Sequence, residues 1–94
     1  MTTERGLQEY LKREAKKNRI SFFKMECVGR SGFPDVMLAF NGRCIFVELK
    51  SPTGKGRLSA RQKLMIEELT NQGIEVYVTQ YKEVIDLIIA KFTD

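Results

Sequence analysis

Histidine is absent from this sequence. That single gap excludes Ser-His-Asp and Cys-His nucleophile systems and every metal site built on imidazole. Cysteine is almost as scarce. Cys27 and Cys44 stand 17 apart with no CxxC spacing, so no thiolate metal site can be assembled. The pair reads as small buried thiols in a reducing cytoplasm rather than as a disulfide. Long apolar runs are missing too, the longest being about six residues against the ~20 that a bilayer span needs. Met1 begins no charged-then-apolar leader, so the expectation is a cytoplasmic protein, neither secreted nor membrane-embedded. No low-complexity run or long polar tract argues for disorder. Whatever chemistry the chain performs must come from carboxylates, lysine and bound ions.

What is present is ordinary for a soluble globular protein: 43% hydrophobic and 30% charged residues. The 94 residues fit one domain, 1–94, with a thin core that buries only roughly 60–65% of the surface of the unfolded chain. A net charge of +4 and a pI near 9.2 favour an anionic partner such as nucleic acid, although many basic proteins bind no polyanion.

Residues 4–18 place Leu7, Tyr10, Leu11 and Ala15 at helical spacing, with Lys12, Arg13, Lys16 and Lys17 on the exposed side. The basic C-terminal half suits the negative end of the helix dipole, and would equally suit a face turned to DNA. "SFFKMEC", residues 21–27, reads as a strand, and the glycine-punctuated loop 28–34 ends at Pro34. Two further strands, 35–40 and 43–50, flank Asn41-Gly42, a strong signal for a type I′ hairpin turn. The segment 51–58 reads as a mobile loop. A helix from Ser59 to about Gln72 follows, with Leu64, Ile66 and Leu69 among its buried residues and Gly73 as its stop. "IEVYVT" is a fourth strand and "YKEVIDLIIAKF" a closing helix. The predicted fold is thus α/β, a small mixed β-sheet flanked by helices in the order α-β-β-β-α-β-α.

The hairpin carries an anomaly. With Asn41 and Gly42 as loop residues, Phe40 faces Arg43, and counting back places Asp35 directly opposite Glu48. Opposed side chains have Cβ atoms about 4.5–5.5 Å apart, and like charges there destabilise a sheet. Lys50 falls on the same strand face as Glu48, within reach of both acids. The neighbouring pairs are apolar on both faces: Met37 with Phe46 and Ala39 with Cys44 on one, Val36 with Val47 and Leu38 with Ile45 on the other. Both faces are therefore expected to be covered. Three accounts of the acids stand at this point. A divalent cation bridges the carboxylates, Lys50 alone neutralises them as an ion network, or a bulge shifts the register and separates them. The first also gives Lys50 a task, orienting or helping to deprotonate a water acidified by the ion.

Pro34-Asp35 followed by a hairpin and Glu48-Leu49-Lys50 resembles the PD-(D/E)XK nuclease superfamily, with its restriction-endonuclease-like core. The segments Gly32-Phe33-Pro34-Asp35, Phe46-Val47-Glu48-Leu49-Lys50 and Leu58-Ser59-Ala60-Arg61-Gln62, with the later Gly73, more closely resemble the small stand-alone VRR-NUC domains of phages and bacteria. Each motif is weak alone, but their order and spacing span nearly the whole chain. The resemblance implies that Asp35 and Glu48 bind Mg²⁺ or Mn²⁺ with the backbone carbonyl of Leu49, and that Lys50 acts on the attacking water. It also implies a glutamate from the first helix; Glu4-Leu7-Leu11 matches that pattern and selects Glu4 over Glu9. An acid in a first helical turn is favoured by the dipole in any case, with Thr3 as cap. Many relatives carry an acid where this chain has Gln8. Gln62 matches a glutamine near the family's metal site, while Ser59-x-x-Gln62 is also a capping box, and the roles are compatible.

The implied activity is metal-dependent hydrolysis of DNA phosphodiesters in a bacterial or phage-infected cell. Lys24, Arg30, Lys55, Arg57, Arg61 and Lys63 are the expected DNA-contacting cations. Nothing resembles a base-reading helix or zinc finger, so selectivity for DNA structure is expected over selectivity for sequence. The small relatives suggest a four-way (Holliday) junction substrate and a homodimer, whose twofold axis would relate two active sites. Phe22, Phe23, Tyr77 and Tyr81 are candidate dimer-surface residues, or plain core. Two other classes remain: a non-catalytic nucleic-acid-binding module of a replication or repair assembly, and a structural domain whose acids and lysine form an ion network.

Overall fold

The computed structural model describes residues 3–51 and 57–93. Helix α1 (Glu4–Lys17) opens at Thr3, whose hydroxyl accepts from the Gly6 amide at 2.9 Å. Leu7, Leu11 and Ala15, spaced one turn apart, are fully buried, while Lys16 and Lys17 occupy the last turn, where the dipole favours cations. Strands β1 (Ser21–Lys24), β2 (Val36–Phe40) and β3 (Arg43–Leu49) follow, then α2 (Ala60–Asn71), β4 (Glu75–Thr79) and α3 (Lys82–Thr93). The sheet order is β1-β2-β3-β4, with β1, β2 and β3 antiparallel in turn and β4 parallel to β3. The mixed sheet and the α-β-β-β-α-β-α order are those expected from the sequence.

Positive φ at both Asn41 (49°) and Gly42 (82°) confirms the hairpin turn and fixes the register, Phe40 opposite Arg43 through to Val36 opposite Val47. Strand β1 is shorter than its expected span of 21–27. Met25 N still donates to the Asp35 carbonyl at 2.7 Å, but the next pairing position meets Pro34, which has no N–H to extend the ladder. Gly73 (φ 82°) ends α2, and Ile74 N reaches back to the Leu69 carbonyl at 3.0 Å.

Val36, Leu38, Ile45, Val47 and Leu49 form one face of the sheet, closed over by α1 and α3 through Leu7, Leu11, Ile85, Ile88 and Phe92. Fully burying such a side chain contributes about 1.5–3 kcal/mol. The opposite face differs from expectation. Met37, Ala39 and Phe46 are only half-buried, and Cys44, one of two free cysteines, is exposed. The reason is where α2 lands: it packs on β4, at the edge of the sheet, and leaves the hairpin side of this face open. That shallow seat also corrects the expected buried set of the helix. Met65 is buried, Ile66 and Leu69 are half-buried, and Leu64 is 65% exposed.

Candidate active site

The ladder between β2 and β3 runs unbroken from the turn to Val36 and Val47, so no bulge shifts the register between the turn and the pair that adjoins the acids. Asp35 immediately precedes β2, at the next position of the register, which faces Glu48, and its carboxylate is close enough to raise the Glu48 pKa. The Leu49 amide donates to Asp35 Oδ2 at 3.2 Å. Glu48 is only 2% exposed. Lys50 Nζ lies 3.5 Å from Glu48 Oε2 and donates to Gln62 Oε1 at 3.0 Å, while Gln62 Nε2 donates to Glu48 Oε2 at 3.2 Å. One amide therefore grips the acid and the lysine together. Gln62 also completes the capping box of α2, its Oε1 accepting from Ser59 N at 2.8 Å and its own N–H donating to Ser59 Oγ at 3.1 Å. Both roles expected of Gln62 coexist in one side chain.

Burial, and next the facing Asp35 carboxylate, push the Glu48 carboxyl from its ordinary 4.5 up to about 7, against the opposing pull of Lys50. The folded chain thus holds this proton more tightly than the unfolded chain between about 4.5 and about 7. It follows that the metal-free protein becomes less stable as pH rises through that window, and that Glu48→Gln flattens the dependence. Urea melts in EDTA on either side of the window measure this directly.

The donor set is hard oxygen: two carboxylates, with Leu49, the last residue of β3, next to Glu48 in the chain and its amide on Asp35. Among the described residues no cluster of three or more His, Cys, Asp or Glu side chains gathers around a metal position. Mg²⁺ typically takes one or two carboxylates and fills its shell with waters and phosphate oxygens, so the residues present fit a small divalent cation.

The remaining expected site residues are more dispersed. Glu4 is exposed in the first turn of α1, and no described contact joins it to Asp35, Glu48 or Lys50. Lys24 Nζ donates to Gln8 Oε1 at 2.8 Å, which brings the N-terminal half of α1 to the same end of the sheet as the acids. Arg30 makes a two-pronged ion pair with Glu68 at 2.9 and 3.1 Å, an arrangement that occupies its charge. Arg61 donates to Ser31 Oγ at 2.9 Å, and Arg57, Arg61 and Lys63 are exposed. Lys55 lies outside the described residues.

Sequence reasoning quoted Gly32 as part of a motif without finding its task. Its φ is +89°, and a Cβ there would lie 2.7 Å from the backbone C and O of Arg61 and 2.9 Å from Gln62 N. The loop thus packs backbone to backbone on the first turn of α2, with Phe33 edge-on to Phe46 at 5.3 Å. Gly29 has a similar φ of +87° but open space around it. Gly32→Ala is therefore expected to cost about 2–4 kcal/mol and Gly29→Ala about 1 kcal/mol, read as shifts in the denaturant midpoint.

Comparison with known proteins agrees with this geometry. The sequence profile of the VRR-NUC domain matches residues 2–83. A solved structure described as a VRR_NUC domain superposes with a TM-score of 0.85 at 26% identity, over 98% of this chain and 99% of that one. A search of curated proteins finds no match. VRR-NUC function is of the nuclease type, with DNA as substrate and generally a divalent metal. Shared fold, acids paired across a hairpin and a profile spanning most of its length place this chain in one group: it belongs to the VRR-NUC domain family.

Proposed function

We propose that residues 1–94 act as one divalent-metal-dependent, structure-selective DNA endonuclease, hydrolysing phosphodiester bonds of branched DNA such as Holliday junctions. The observation that carries this reading is buried Glu48 facing the half-buried Asp35, with Lys50 and Gln62 held against Glu48. Asp35, Glu48 and the Leu49 carbonyl would hold Mg²⁺ or Mn²⁺. That ion, when bound, lowers the pKa of water and offsets charge on phosphate oxygens. Glu48 and Gln62 fix the Lys50 ammonium, which orients the attacking water and stabilises the charge that develops as the phosphorus–oxygen bond breaks. Arg57, Arg61 and Lys63 contact flanking phosphates, which position DNA without reading bases. Glu4, exposed in the first turn of α1, is the proposed contribution of that helix to the site, at a position where the helix dipole favours an acid in any case.

Paired cuts across a four-way junction need two sites related by a twofold axis, which a C2 homodimer supplies. Phe23, 46% exposed and paired with Met37 on the open sheet face, is a candidate contact. The test incubates purified protein with labelled four-way junction, flap, fork, duplex and single-stranded DNA, in Mg²⁺, Mn²⁺ or EDTA. Nicking near the branch that requires the cation is the expected result. Undiminished cleavage in EDTA overturns the reading, and so does tight binding with no cleavage in either metal, which marks a non-catalytic module.

A further inference from the structure

Beside Lys50, where β3 and β4 end, lies a cavity of about 350 Å³ lined by Lys50, Val78, Thr79, Gln80, Tyr81 and Val84. Its volume falls within the roughly 300–1,000 Å³ usual for ligand pockets. Tyr81 is 53% exposed, so the core does not account for it. Nor does the helix that follows: Ile85 N donates to the Tyr81 carbonyl at 3.3 Å, which places Tyr81 at a helix start where Ser, Thr, Asp or Asn serves better. Yet the residue is held firmly. Its amide donates to Thr79 Oγ1 at 3.0 Å, the Thr79 hydroxyl donates to its carbonyl at 3.3 Å, and Gln80 Nε2 donates to its phenol oxygen at 2.8 Å. Thr79 itself is 5% exposed, a buried hydroxyl committed to Tyr81. The cavity therefore offers an aromatic ring whose hydroxyl accepts from Gln80, and valine walls, one of them (Val78) 39% exposed, with Lys50 lining the side nearest the acids.

An apolar recess with an aromatic ring, opening beside the proposed catalytic centre, complements one nucleotide, base against the ring and its phosphate at that centre. We propose that this cavity receives the nucleobase adjoining the scissile phosphate, unstacked from its strand and laid on Tyr81, so that cutting occurs where the strand is unpaired. This rests on the nuclease reading and adds the substrate feature that the site selects. Extruding a paired base opposes binding, whereas a base already unpaired at a branch enters without that cost. Selectivity for branched DNA then has a physical source that needs no base-specific hydrogen bond.

The test uses four-way junctions carrying 2-aminopurine, or an abasic residue, at each position beside the branch in turn, with Ca²⁺ for binding and Mg²⁺ for cleavage. Wild-type protein is expected to change the fluorescence at one such position. Tyr81→Ala and Tyr81→Leu are expected to lose about 5- to 150-fold in affinity there, and Tyr81→Phe to keep it within about twofold. An abasic residue at that position should weaken wild-type binding and add no further loss to Tyr81→Ala. Independent, additive losses overturn the assignment, as does a Tyr81→Leu protein that binds and cuts like wild type. Because the fluorescence needs no turnover, wild-type protein that stacks the base but never cuts counts against the nuclease reading instead.

Discussion

On the proposed reading, Lys50→Ala is expected to slow single-turnover cleavage of a branched DNA by about 10²–10⁴-fold and to leave affinity for the same DNA within about twofold. The split follows from where the ammonium sits. The Lys50 side chain is 13% exposed, held 3.0 Å from Gln62 Oε1 and 3.5 Å from Glu48 Oε2, so it is not one of the surface cations that gather phosphates. Arg57, Arg61 and Lys63 remain in place for that task. Lys50→Arg should not restore the rate, because a planar guanidinium cannot take the place of a compact ammonium between an amide oxygen and a buried carboxylate. Single-turnover rates and titrations in Ca²⁺ separate the two effects. Equal losses in rate and affinity would reassign Lys50 as a phosphate contact.

Asp35→Asn is expected to abolish cleavage while making the metal-free protein more stable. Asn keeps an oxygen to accept from the Leu49 amide, as Asp35 does at 3.2 Å, but removes the negative charge that faces buried Glu48. Relieving a directly opposed like-charge pair is worth about 1 kcal/mol, which in a chain of this size raises Tm by about 4–8 °C in EDTA. Mg²⁺ raises the Tm of the wild type by mass action and loses that effect in the variant. Melting curves with and without Mg²⁺ give both numbers. A variant less stable than wild type in EDTA would show that the carboxylate is structural, and the ion network alone would then explain the site.

The hairpin and its acids were legible because a local rule determines each step. Asn41-Gly42 sets the turn, the turn sets the register, and the register puts Asp35 against Glu48. Capping was legible at Ser59 and Gln62 for the same reason, since the motif closes within one helical turn. What escaped depends on where separate elements meet. Alternating apolar residues at Met37, Ala39 and Cys44 implied a covered face, but α2 settles over β4 and leaves them partly or fully open. Leu64 falls on the outward side of that helix for the same reason. The shortened β1 required knowing that Pro34 falls opposite the position just after Met25, and the role of Gly32 required seeing Arg61 approach its backbone. Tyr81 carried no sequence signal beyond an aromatic ahead of a helix.

Gln62 ties the chemistry to the least durable part of a helix. Terminal turns fray, and fraying at Ser59 withdraws the amide from Glu48 and Lys50 in the same motion. Warming that loosens a single coil of backbone would disarm the lysine while the sheet beneath stays whole. On the nuclease reading, cleavage is then expected to fail at a lower temperature than the one at which the core melts.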